Sequence, residues 1–255
     1  METTRTWLRN CIAALTCVVI ISGCATSRPA DVAEIHPGIL QGYLAENEYP
    51  DSLKLLPAPP ADGSAAFARD LEISEESLKL QGTERFALAS KDAELGFPAA
   101  ADAFTGALGF EITQEDTPYL YMLLRRTLAD AGLSTYTAKN NYNRARPFMV
   151  NNKPTGTPDE EEGLRKDGSY PSGHTAIGWA WALILCEILP EQTDALLARG
   201  YEFGQSRVIC NVHWQSDVDA GRIMGSAAVA RLHANKDFLS DLKRAKQEAA
   251  AMQNQ

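Results

Sequence analysis

Three short stretches of the 255-residue chain hold the side chains best suited to work on a multiply charged anion. In the first, Lys139 is followed by Arg146-Pro147. The second is Pro171-Ser172-Gly173-His174, and in the third Ser206-Arg207 leads to His213 and Asp217. Lys139, Arg146 and Arg207 supply three cations, and a guanidinium meets a tetrahedral oxyanion with paired donors. The Ser172 hydroxyl and the backbone N–H groups of Ser172 and Gly173 sit just ahead of an apolar run with helical character. Free N–H groups and the macrodipole favour an anion at such a helix start, and glycine at 173 lets the backbone approach an oxygen closely. His213 and Asp217 are four apart. On one helix face, a carboxylate accepting from one ring nitrogen leaves the other nitrogen as a lone-pair nucleophile. A phosphoryl group in transfer spreads negative charge over three equatorial oxygens, and these donors can carry that charge without a metal ion.

Taken singly, each residue has an ordinary role. His174 suits a helix cap or a satisfied core histidine, Arg207 a surface ion pair, Lys139 and Arg146 loop charges. Asp217 suits the positive end of a helix. As one ordered set the eleven positions resemble the signature of the phosphatidic-acid-phosphatase type 2 superfamily, which includes the vanadium haloperoxidases. The flanking residues Asp167-Gly168-Ser169-Tyr170, Gly204-Gln205-Ser206-Arg207 and Trp214-Gln215-Ser216-Asp217 resemble the bacterial class A non-specific acid phosphatases more closely still. The resemblance covers most of residues 60–250. It implies hydrolysis of phosphate monoesters through a phosphohistidine, with no cofactor and no metal. His213 is then the nucleophile, Asp217 its orienter, and His174 the acid for the leaving alkoxide and the base for water. Lys139, Arg146, Ser172, Gly173 and Arg207 bind the phosphate. A histidine acid works best when protonated, which suggests a mildly acidic optimum. The resemblance also implies some phosphotransferase capacity and a homo-oligomer. The competing readings are a vanadate-dependent haloperoxidase, a lipid phosphate phosphatase, and a module that only binds anions. Retention of both histidines and Asp217 argues against the last, since binding needs only the cations.

Helical periodicity accounts for the elements that position these groups. Apolar residues at three- and four-residue spacing predict two helices over residues 64–107 and another over 113–131, with Thr113 and Asp116 as caps and Gly132 as the stop. Residues 175–189 are almost wholly apolar, end at Pro190 and are too short for a membrane span, which predicts a central buried helix. Further helices are expected over 191–209, 214–234 and 237–250. No βαβ rhythm or repeat is present, so the expected fold is all-α, a single helical domain. Residues 148–170, with two prolines and the acidic run 159–162, read as a long loop suited to a site wall or a solvated excursion. Tyr136, Asp167 and Tyr170 flank the motifs and are candidates for the pocket lining. Trp179, Trp181 and Trp214 are expected in the core, and His36 and His233 fit no motif.

At the N-terminus Arg5 and Arg9 precede an apolar run from Cys11 to Ile21 that ends in Ile21-Ser22-Gly23-Cys24. This resembles the lipobox of bacterial lipoproteins, with Cys24 lipidated; plain cleavage after Ala25 is the alternative. Residues 1–23 are thus expected to be a signal peptide, 24–63 a tether and extended arm, and 64–255 the domain. The expected location is the periplasm, with the lipid in the outer membrane. The net charge is -9, and no dense basic patch suits a nucleic-acid polymer. The expected partners are small phosphate monoesters, with membrane contact only through the anchor. Cys186 and Cys210 remain in the domain, as free thiols or as a disulfide.

Overall fold

The apolar run after Ser172 becomes the axis of the molecule. In the computed structural model, which describes residues 28–254, α9 (Gly173–Ile188) is enclosed by α5 (Pro118–Leu133), α10 (Thr193–Ile209) and α11 (Gln215–Leu232), and α12 (Lys236–Met252) lies along α5. Ten of the sixteen α9 residues are buried, because a helix apolar all round is stable only when covered on every side. Trp181 is fully buried and donates its indole N–H to the Leu124 carbonyl at 3.0 Å. The expectation of an all-α domain around a buried apolar helix holds. The only strands among the described residues are the short hairpin pair β1 (Glu34–His36) and β2 (Ile39–Leu40).

Two glycines let α11 lie directly on the α9 backbone. A Cβ on Gly221 would meet the Ser172 carbonyl at 2.6 Å, and one on Gly225 the Ala176 carbonyl at 2.6 Å. That approach brings Asp217, one turn before Gly221, up to the N-terminus of α9.

The remaining helices are shorter. They are α1 (Ser52–Leu55), α2 (Ala65–Leu78), α3 (Glu84–Lys91), α4 (Thr105–Leu108), α6 (Tyr136–Tyr142), α7 (Pro147–Asn151) and α8 (Glu161–Leu164). Helix α5 starts at Pro118, later than the pattern suggests. Thr113 and Asp116 form a preceding turn, in which Thr113 Oγ1 accepts the Asp116 N–H at 3.0 Å. The first free N–H groups of α5, on Tyr119 and Leu120, are capped by the Glu248 carboxylate of α12 at 3.0 and 2.9 Å. Gly132 lies inside the helix, against Ile177.

Residues 40–57 are not a free arm. The Tyr43 and Leu44 N–H groups both donate to the buried Asp130 carboxylate at 2.9 Å. Arg126 stacks on the Tyr43 ring and donates to the Gly42 carbonyl. Ser52 Oγ donates to the Thr135 carbonyl and accepts the Ala138 N–H. Leu40, Tyr43, Leu44 and Leu56 are buried. The Pro- and Ala-rich composition that suggested a tether does not reveal these contacts, since the groups that hydrogen-bond Tyr43, Leu44 and Ser52 lie more than 80 residues away. The expected signal peptide and Cys24 lie outside the described residues. Cys186 and Cys210 are free thiols.

Candidate active site

The site forms where the start of α9, the α10–α11 turn and the 143–170 segment meet. Arg207 closes the last turn of α10, and its carbonyl accepts the N–H groups of Val212 and His213, both at 3.2 Å. Asn211 takes the left-handed conformation at φ 61° that this tight reversal needs. Its side-chain amide donates to the Lys153 and Pro154 carbonyls, which ties the long loop to the turn. His213 therefore enters the pocket beside Arg207 and one turn from Asp217.

The His213 ring is fixed at both nitrogens. Nδ1 lies 3.3 Å from Asp217 Oδ2, and Nε2 lies 3.1 Å from Arg146 Nη1. A guanidinium only donates, so Nε2 carries the lone pair and Nδ1 the proton. Asp217 Oδ2 also accepts the Trp214 N–H at 2.8 Å, while Oδ1 accepts from Arg144 at 2.6 Å. Arg144 reaches on to Asp70 of α2 at 2.8 Å and lies over the rings of Phe67 and Trp214. Burial pushes the Asp217 carboxyl up and Arg144 opposes that shift.

The cations surround this ring. Arg146 is almost wholly buried and spends its donors on the Leu164, Asp167 and Val212 carbonyls and on the Asp167 carboxylate. Lys139 donates to the Gly168 carbonyl at 2.6 Å and lies 3.4 Å from Asp167 Oδ2. Burial lowers its ammonium to about 8. Arg207 is fully buried, with only a 3.4 Å contact to Glu160. Among the described residues its Nε and Nη1 have no hydrogen-bond partner. Two guanidinium nitrogens left unpaired in a protein interior are costly, and both are open to donate to an anion.

The start of α9 completes the set, with one change from expectation. The Ser172 N–H is taken by the Asp217 carbonyl at 3.0 Å, so it is not an anion donor. Ser172 Oγ accepts from the Thr175 N–H and the Thr175 hydroxyl, which leaves its own proton to give away. The Gly173 and His174 N–H groups open the helix without an intrahelical partner. His174 Nε2 donates to the Ala93 carbonyl at 2.8 Å, leaving Nδ1 for chemistry. Burial first, then Arg207, holds the His174 imidazole well below its ordinary value; burial and Arg146 do the same for His213.

The structure thus brings together Lys139, Arg146, Ser172, Gly173, His174, Arg207, His213 and Asp217. Tyr136 and Asp167 line the pocket as expected, and so does His36, which fits no motif. Tyr170 does not: it is buried, with its hydroxyl on the Pro57 carbonyl. His233 is remote from the site, paired with Glu187. Trp181 and Trp214 are core residues, whereas Trp179 is only partly covered. The long loop is a wall, through Leu164, Asp167 and Glu160. Sequence reading missed Arg144, Asp70, the Ala93 carbonyl and the pair Asp92–Arg199, in which buried Asp92 also accepts from Ser206 Oγ at 2.6 Å. Arg144 lies inside the first motif and was in principle visible. The others carry no sequence signal, since each acts across more than 70 residues.

Residues 118–239 match the PAP2 superfamily. A non-specific acid phosphatase of Providencia stuartii is 50% identical over 82% of this chain and 85% of its own. An acid phosphatase of Zymomonas mobilis is 39% identical over 93% and 88%. Among solved structures, a bacterial vanadium-dependent iodoperoxidase aligns with a TM-score of 0.50 at 18% identity, over 71% of this chain and 54% of that one, a likeness of fold.

Proposed function

The chain belongs to the PAP2 superfamily, in its class A non-specific acid phosphatase branch, and from that premise we propose that it hydrolyses phosphate monoesters through a phosphohistidine without a metal ion. The observation that carries this reading is the fixed His213 ring, with Asp217 at Nδ1 and the Nε2 lone pair turned toward the cations. Nε2 attacks phosphorus as the ester P–O bond breaks, and protonated His174 gives its Nδ1 proton to the departing oxygen. Asp217 stabilises the imidazolium so formed. Arg207, Arg146, Lys139, the Ser172 hydroxyl and the Gly173 N–H neutralise the equatorial oxygens. In the second step His174 takes a proton from water, water oxygen attacks phosphorus, and the P–N bond breaks to release phosphate and restore His213. An alcohol replacing water would give phosphotransfer. A bound phosphate dianion raises the His174 imidazole toward protonation, so acid pH favours the first step.

The test is release of phosphate from p-nitrophenyl phosphate in excess chelator; loss of all activity on chelation would remove metal independence. His213→Ala should abolish turnover, whereas His174→Ala should let an acid-labile, alkali-stable phosphoenzyme accumulate. Vanadate should inhibit by imitating the five-coordinate phosphoryl group, and halide oxidation with vanadate and peroxide would turn the reading toward a haloperoxidase. Among the described residues no helix is long and apolar enough to cross a membrane. Export and a lipid on Cys24 are part of the same proposal, supported by Ile21-Ser22-Gly23-Cys24. Cys24→Ser should then move the protein from the membrane to the soluble periplasmic fraction. Homo-oligomerisation is proposed with it, and sedimentation of the native enzyme tests that.

A further inference from the structure

We infer that the outer half of the pocket is a subsite for apolar leaving groups, so that aryl and alkyl phosphates are favoured over sugar and polyol phosphates, and that the β1–β2 hairpin is its outer wall. The inference rests on the phosphatase reading. In an in-line displacement the leaving oxygen lies opposite the attacking nitrogen. It therefore faces away from His213 and toward His174, and the rest of the leaving group must occupy the space beyond.

That space is the apolar side of a pocket of about 250 Å³ in all, catalytic groups included, and it is walled by Ile35, Ile39, Leu95, Leu128, Leu133 and Ile177. Ile177 is three residues beyond His174 on α9, and Leu95 follows closely on Ala93, whose carbonyl holds the His174 ring. Apart from the groups that bind phosphate or hold those that do, the lining side chains able to hydrogen-bond are His36 and Tyr136. A hydroxylated leaving group would give up water here and find few partners. An aromatic ring or short alkyl chain would instead cover carbon already facing the cavity. Ile35 and Tyr136 remain 40% and 43% exposed at the rim, so a ring held between them removes apolar surface from water. The three β1 residues are exposed while Leu40 at the hairpin's base is buried. The hairpin is thus anchored through β2, where Ile39 packs on the core, and presents Ile35 of exposed β1 to the pocket.

The test compares kcat/KM for benzyl phosphate and glycerol phosphate, two alkyl esters whose leaving alcohols differ in polarity more than in acidity. The wild-type enzyme should favour benzyl phosphate by about tenfold or more, the scale on which hydrophobic pockets discriminate. Ile35→Ser and half-buried Leu133→Gln should each lower that ratio about threefold to tenfold, mainly through KM for the benzyl ester. Exposed Ile223→Ser on α11, away from the pocket, should leave the ratio unchanged. A wild-type ratio near or below one overturns the subsite. A high ratio that survives Ile35→Ser overturns the role of the hairpin. Failure to release phosphate from any ester is a different result, which removes the phosphatase reading itself and the subsite with it.

Discussion

Arg207→Met separates the cost of a buried cation from its use. The guanidinium is fully buried, two of its nitrogens have no partner among the described residues, and Glu160, which pairs with it, is 42% exposed. Each unsatisfied buried donor costs about 1–3 kcal/mol, whereas an ion pair to a partly exposed carboxylate returns at most about 1 kcal/mol. Methionine fills most of the same space with no polar group, and its packing loss is about 1 kcal/mol. The variant should therefore be as stable as the parent or up to about 4 kcal/mol more stable, as when buried ionic groups are replaced by apolar ones. For a domain of this size that is a rise in Tm of about 2–4 °C per kcal/mol. The same change removes two charge-assisted donors from the transferring phosphoryl group, about 4 kcal/mol in all, so kcat/KM should fall about a thousandfold. Thermal unfolding in phosphate-free and phosphate buffers and steady-state phosphate release read both effects. Phosphate at 100 times its Kd should raise wild-type stability by about 2.7 kcal/mol, and the variant should lose most of that gain. A variant destabilised by more than about 2 kcal/mol without phosphate, or one keeping a tenth of its activity, would refute the reasoning.

Three further outcomes follow from charge and burial. Because burial holds Lys139 at about 8, the site loses a cation as pH rises through that value. The activity should decline there, and Lys139→Arg should move the decline to higher pH; an unmoved alkaline limb in the kcat/KM profile assigns it elsewhere. His174 and His213 are held well below their ordinary value. The unfolded chain thus binds protons from about pH 6.5 downward while the folded chain does not. Their contribution to stability falls as pH drops below that point, and phosphate should offset the fall. Urea unfolding at pH 7.5 and 5.5 should show a steeper decline for wild type than for the His174→Asn, His213→Asn double variant; equal declines contradict the assignment. Asp130→Asn keeps the shape but can accept only one of the two N–H groups that hold residues 43 and 44, so it should cost about 1–3 kcal/mol. It should also speed proteolysis within residues 40–57, and an unchanged cleavage rate would show that the apolar anchors suffice.

The sequence alone marked out the proposed catalytic set, because phosphoryl transfer restricts the residue types that can serve, and Lys139, Arg146, Ser172, His174, Arg207, His213 and Asp217 stand in a recognisable order. It also marked the long helices, since α9 is almost wholly apolar and α5, α10, α11 and α12 carry helical periodicity, but not the short α1, α6, α7 and α8. Only the tertiary structure decided how the set is held. Arg144 ties Asp217 to Asp70, Ala93 fixes the His174 ring, and Asp217 takes the Ser172 N–H that helix geometry alone had reserved for the anion. It likewise decided that residues 40–57 are held to the domain, with Tyr43 and Leu44 on Asp130 and Ser52 on α6. The reason is the same in each case. Periodicity and motif spacing report on interactions within a few residues of one another. The burial of a polar group and the choice of its partner depend on segments that become neighbours only when the chain closes around α9.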